Sequence, residues 1–328
     1  MAERRKKRLF GAGLGAGLLG AIFLALRFAV RPFTKAPVPD AISPAIFRTK
    51  VLHTSLGEVV YHESGSGPTL MFIHGFCPGA SSYEWSKVYP DFTATHRVLA
   101  PDLVGFGESA RPNANLSASD YARSLAEFIR GTCDEAVTIV ASGLGAGVSV
   151  LLASQHPEVV KHLVLWMPTG LTETGARKVP IRKRLASLTP LVHRFLYRNY
   201  ESNRPAIRGW LALNGFADAS RLTEEALDVY ATCAQQSGAE HAIRNLYSGR
   251  LNVDLEERLP MLSQPLTMLW PEPGAQIPPE LPGRLQALCH GSRLRIAGRL
   301  SRLAAVESPA EMAALLAEEL DPSLRIVR

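Results

Sequence analysis

The sequence predicts an α/β fold: a mostly parallel sheet covered on both faces by helices. Two observations carry that prediction. From residue 46 onward, near-continuous apolar runs of strand length recur at short intervals, and helix-period segments separate them. A third observation refines it, because the alternation breaks once, over a long strand-poor interval rich in Arg, Leu and Ala.

Taken in order, the β-rich runs are 57–62, 69–73, 97–100, 136–141, 162–166, 265–270 and 293–297. Helical periods fall at 118–130, 145–155, 279–288 and 308–320. The break spans 172–255, with helical periods in 183–199, 205–215 and 222–235. A helical insertion between two strands of one sheet should lie over it as a lid. The expected organisation is therefore a core of 46–171 and 256–328 with a helical cap at 172–255.

The N-terminus is of a different kind. Residues 4–8 read RRKKR, and Leu9–Leu26 is an uncharged, glycine-spaced apolar run. A bilayer core needs about 20 apolar residues as a helix, and Arg27 can snorkel to the interface. No A-x-A-like cleavage site follows, so a retained transmembrane anchor over residues 1–30 is expected rather than a cleaved signal peptide. The basic cluster favours a cytoplasmic N-terminus with the body on the opposite side. A proline-rich linker, 31–45, would hold that body off the membrane.

Charge narrows the partners. The chain carries +6, but residues 1–35 hold eight Lys/Arg and one acid. Of 36 bases and 30 acids, 28 and 29 remain beyond residue 35, so the body gives no charge-based case for nucleic acid. The cysteines Cys77, Cys133, Cys233 and Cys289 are scattered without a C-x-x-C pair, which suggests neither a metal site nor a dense disulfide framework. No cofactor and no metal are expected.

Three motifs stand in order: FIHGFCPGASSYEW (72–85), APDLVGFGES (100–109) and VASGLGAGVS (140–149). Together with the lid and closing strands they resemble the α/β-hydrolase family over essentially all of 46–320. The nearest sub-pattern, from bacterial and photosynthetic lineages, adds Pro168-Thr169-Gly170-Leu171 and Ser248-Gly249-Arg250-Leu251-Asn252. The resemblance implies an eight-stranded sheet and a backbone oxyanion site at the N–H groups of Phe76 and Leu144. Gly75 would allow close backbone approach there, and His74 would orient the loop rather than react.

It also implies a nucleophile, an acid and a base, and each position fails. Aligning the elbow places Ala141 and Gly145 as small flanks and Gly143 at the apex, where a side chain is missing. Ser142 is one residue early; strand alternation should turn it into packing, and its flanks would be the bulky Val140 and Leu144. The acid position after PLTMLW is taken by Gly274, with Glu272 nearby; Glu173, after the sixth strand, is a weaker substitute. The base position reads Ala297-Gly298-Arg299-Leu300-Ser301-Arg302, and arginine stays protonated in either slot.

The sequence thus points to a membrane-anchored, catalytically defective hydrolase homologue that binds a lipophilic small molecule or a protein partner. Two alternatives stay open. One is an active ester or lipid hydrolase with a non-standard site, built on Ser142 or a lid residue. The other is an accessory subunit of a membrane complex, its glycine-rich span packing against other helices.

Overall fold

An apolar strand with no polar face must be covered on both sides, and this chain arranges its most apolar strands accordingly. A computed structural model describes residues 37–170, 179–272 and 278–320. Its strands are β1 (Arg48–Thr54), β2 (Gly57–Ser64), β3 (Thr69–Ile73), β4 (Arg97–Pro101), β5 (Val137–Ser142), β6 (Val160–Trp166), β7 (Leu266–Trp270) and β8 (Arg293–Ile296). They form one sheet in the order β1-β2-β4-β3-β5-β6-β7-β8. The first two ladders are antiparallel, and every ladder from β4/β3 to β7/β8 is parallel.

Burial follows position in the sheet. The central strands β3, β5 and β7 are almost wholly buried, whereas the edge strand β1 is mostly exposed. Charge keeps the β1 edge from further pairing. Its Lys50 pairs with Glu63 of β2 at 2.5 Å, and Arg97 of β4 reaches the same carboxylate at 2.6 Å.

Helices cover both faces. Helix α1 (Ala118–Thr132) starts on a capping box, with Ser117 and Asp120 each accepting from the other's backbone N–H. Helix α2 (Gly143–Gln155) follows β5 without an intervening loop and is buried all round, as a helix at the centre of a two-sided core must be. The short helical turn at Ser82–Trp85 packs below β3, where the Trp85 indole donates to the Ile73 carbonyl at 3.0 Å. Phe72 meets Trp85, Tyr89 and Phe92 there at 5.6–5.9 Å between ring centroids.

Between β6 and β7 lie α3 (Ile181–Ser187), α4 (Pro190–Leu196), α5 (Arg204–Trp210), α6 (Glu224–Gln235), α7 (Ala239–Tyr247) and α8 (Leu255–Arg258). This insertion is clamped to the core from two directions. Glu307 accepts from the amides of Ala217 and Asp218 at 2.9 and 2.8 Å. Across the site, Glu225 accepts from the Tyr83 hydroxyl at 2.8 Å and pairs with Lys87 at 2.9 Å. The core closes with α9 (Leu281–Ala287), α10 (Ala304–Glu307) and α11 (Pro309–Leu320).

Several elements differ from the sequence reading. The helical period expected at 183–199 is two helices, α3 and α4, parted before Pro190, and the short α8 is not among the expected elements. Strand β1 is absent from it because its residues, RTKVLHT, carry no apolar run, being exposed at an edge. Helix α7 does not stand out within the strand-poor interval because its buried face is built partly from polar residues, Glu240 and Asn245. The expected anchor, residues 1–30, and linker residues 31–36 lie outside the described residues. Among the described residues, no helix is long and apolar enough to cross a membrane.

The chain's path into α2 depends on Gly145, where an added Cβ would lie 2.2 Å from the His74 carbonyl oxygen. Backbone cannot yield as a side-chain tip can, so Gly145→Ala should cost about 2–4 kcal/mol. For a domain of this size that is a fall of roughly 3–7 °C in the thermal midpoint. Gly209→Ala, in α5 with open space at its Cβ, is the control and should leave the midpoint unchanged or raise it.

Candidate functional site: the elbow between β5 and α2

Strand β5 must reverse direction within one residue to enter α2. Gly143 does so at φ +52°, a left-handed conformation that glycine adopts without strain. An added Cβ there would meet nothing within 4 Å, so the apex opens onto free space. The turn is tied to the next strand's loop: the Thr169 amide donates to the Gly143 carbonyl at 3.0 Å. Just before it, Met167 is held at φ +47°, an uncommon conformation for a residue with a Cβ.

Behind the apex lies a polar bridge. Ser142 is 3% exposed, and its hydroxyl donates to Glu84 Oε1. The other carboxylate oxygen, Oε2, accepts from the Gly75 amide at 2.8 Å. One buried carboxyl thus links the end of β5 to the loop after β3. Burial pushes Glu84 up to about 7, although the Ser142 and Gly75 donors and the Arg302 charge all pull the other way. The Cys77 thiol, buried beside it, is pushed up by burial and by the Glu84 charge.

His74 has both ring nitrogens engaged. Nδ1 lies 2.7 Å from the Gly75 carbonyl, and Nε2 accepts from the Leu103 amide at 3.0 Å. That fixes the proton on Nδ1, and burial lowers the imidazole's affinity for a second one. The ring packs against Phe106 and acts as a bracket between two loops. Phe76 is partly buried, edge-on to Phe106 and Tyr121 at 5.1 Å. Leu144 is the second residue of α2, where the helix supplies no acceptor for its N–H.

The remaining expected positions do not converge. Arg299 points into solvent, its side chain 96% exposed and 3.8 Å from Glu272. Arg302 is closer to the elbow, since its charge acts on both Glu84 and Cys77, and its carbonyl accepts from the Trp166 indole at 3.1 Å. Gly274 and Glu173 lie outside the described residues. Glu84 is the residue that sequence reasoning missed. It stands inside the quoted SSYEW segment, yet nothing in its spacing says that a carboxyl from that turn reaches under the elbow.

Among the described residues, one cluster brings metal-ligand atoms together: His62, Asp102 and Glu108, within 4.8 Å of one another. The Asp102 carboxylate already accepts from the amides of Ser82 at 2.6 Å and Glu108 at 2.7 Å. Its work is to hold the glycine-rich turn after β4.

The Glu84 shift has a pH consequence. Between about 4.5 and 7, folded Glu84 keeps a proton that the unfolded chain has released. Its contribution to stability is therefore full below about 4.5 and lost as pH rises through about 7, on the order of 3 kcal/mol. Denaturant melts of the wild type against Glu84→Gln, from pH 4.5 to 8.5, should show the wild type losing stability relative to the variant over that window.

Comparison with known proteins agrees with the geometry. A family model described as alpha/beta hydrolase fold matches residues 68–190. An uncharacterized protein of Mycobacterium tuberculosis is 36% identical over 153 residues, which is 46% of this chain and 42% of that relative. A 2-hydroxymuconate semialdehyde hydrolase of a Pseudomonas species is 37% identical over 117 residues, 34% of this chain and 40% of that relative. The chain thus spans less than half the length of these curated relatives. Among solved structures, a membrane phospholipase A described as a bacterial virulence factor superposes with a TM-score of 0.69 at 22% identity. That match covers 99% of this chain and 100% of the other. The chain has the α/β-hydrolase fold, and its homologues include hydrolases.

Proposed function

We propose that this is a membrane-anchored α/β-hydrolase-fold protein that has lost its catalytic triad. It acts by binding a lipophilic small molecule or a protein partner between the elbow and the helical insertion. The observation that carries this reading is at Gly143. The elbow keeps its backbone turn and the open space above it, but presents no side chain to that space. The arginine at the base position is in solvent, and His74 is committed on both nitrogens. The backbone N–H groups of Phe76 and Leu144 would still offer hydrogen bonds to a ligand oxygen. The uncharged run at 9–26 supplies the anchor, with the N-terminus cytoplasmic and the body on the opposite side.

A second reading has one specific observation in its favour. Ser142 is bonded to a carboxyl whose affinity for protons is raised to about 7, the range suited to a general base. Against it, both groups are buried, Ser142 at 3% and Glu84 at 2% exposure.

Esterase assays on the full chain separate the two. Hydrolysis of p-nitrophenyl butyrate should not exceed that of Ser142→Ala. Gly143→Ser should gain no activity, since loss of a triad member typically costs about 10⁴-fold or more. Wild-type turnover abolished by both Ser142→Ala and Glu84→Gln would establish the second reading instead.

A further inference from the structure

Three of the insertion's exposed large apolar residues lie together on its first helix, whereas Leu213 and Tyr200 stand apart from them. Ile181, Leu185 and Leu188 are 69%, 59% and 70% exposed. At spacings of four and three they share one face of α3 and its C-terminal turn. Arg182 and Arg184 flank that face, exposed, and no ion pair engages either among the described residues. Lys183, between them, is turned inward to the Tyr247 hydroxyl at 2.7 Å and Glu201 at 3.1 Å. The exposed face is thus apolar with a basic rim.

The sequence around it is one-sided in charge. Residues 174–200 contain seven Lys/Arg and no Asp or Glu, whereas the rest of the body beyond residue 35 holds 21 bases against 29 acids and is acidic. An apolar helix face ringed by arginine is the composition of a segment lying in the headgroup layer of an anionic bilayer. A nucleic acid would match the charge but would leave three large aliphatic side chains in water.

The entry of the chain gives an independent pointer. The turn Asp40–Ile42, near the start of the described residues, packs against α6 of the insertion and against the core turn Ser82–Trp85. A tether leading from there to residues 9–26 would bring the bilayer to the side of the body where insertion and core meet. We propose that the exposed face of α3 docks on an anionic phospholipid bilayer, Ile181, Leu185 and Leu188 entering the headgroup layer and Arg182 and Arg184 meeting lipid phosphates. The proposal rests on the anchored reading above for its proximity to the bilayer. It adds a second contact, which would orient the mouth of the site toward the lipid.

The test uses the full chain reconstituted in phosphatidylcholine vesicles with or without 30% phosphatidylglycerol. Leu185→Trp reports local insertion through its emission and its quenching by brominated lipid. A carbonate wash reports anchoring separately. The expected result is blue-shifted, lipid-quenched emission in the anionic vesicles. Arg182→Gln/Arg184→Gln in that background should weaken it on the order of tenfold, with anchoring unchanged. Hydrogen exchange of 180–190 in the unsubstituted chain should slow in the anionic vesicles, independently of any variant.

Unquenched emission and unslowed exchange in both vesicles, in a chain that resists the wash, would overturn the proposal while leaving the anchor standing. A chain removed by the wash would instead refute the anchor. The docking claim then stands or falls on whether the washed-off protein still cosediments with anionic vesicles in a way that depends on Arg182 and Arg184. Shielding of the introduced indole in lipid-free detergent, with a doubled mass, would assign the face to a second copy of this chain and would also overturn it.

Discussion

The site depends on a single backbone approach, the start of α2 against the loop that follows β3. The Gly145 position touches the His74 carbonyl, and no side chain could stand between them. Glu84 reinforces the approach from below by accepting from Ser142 on one side and Gly75 on the other. Burying that carboxyl is unfavourable in itself, since it raises the group's proton affinity. Its two donors are what make the position tolerable. Everything above the bridge, including the left-handed turn at Gly143 and the free space beyond it, inherits its placement from this contact.

Such an arrangement separates shape from reactivity. A nucleophile elbow needs a sharp turn, close backbone approach and amide groups aimed at a common point, and none of these requires a reactive side chain. In the function proposed above, the chain keeps those backbone features with glycine where the reactive atom would be. At the base position it places arginine, one copy in solvent and the other near a buried carboxyl. The polar groups that remain inside serve the scaffold: His74 joins two loops, Asp102 shapes a turn and Glu84 ties the elbow down.

What the sequence made legible followed from local chemistry. Apolar runs marked the central strands because those strands are buried on both faces, and small residues marked the elbow because only they fit it. Strand β1 was invisible because an edge strand has no need of an apolar run. The partnership of Glu84 with Ser142 joins residues 58 positions apart, so no local pattern carries it. Ser142 illustrates the limit well. Alternation along β5 was enough to direct its side chain away from the apex, but the acceptor that receives it came from a different motif. The exposed face of α3 was likewise hidden, because a helical period does not say whether its apolar residues are covered.

The central claim is that the elbow holds no activated nucleophile. Intact-mass spectrometry after incubation with a fluorophosphonate, which phosphonylates activated serines, addresses it directly. The account predicts an unmodified full-length chain at a concentration that labels an active serine hydrolase completely. A stoichiometric adduct, mapped by peptide sequencing to Ser142, would contradict it.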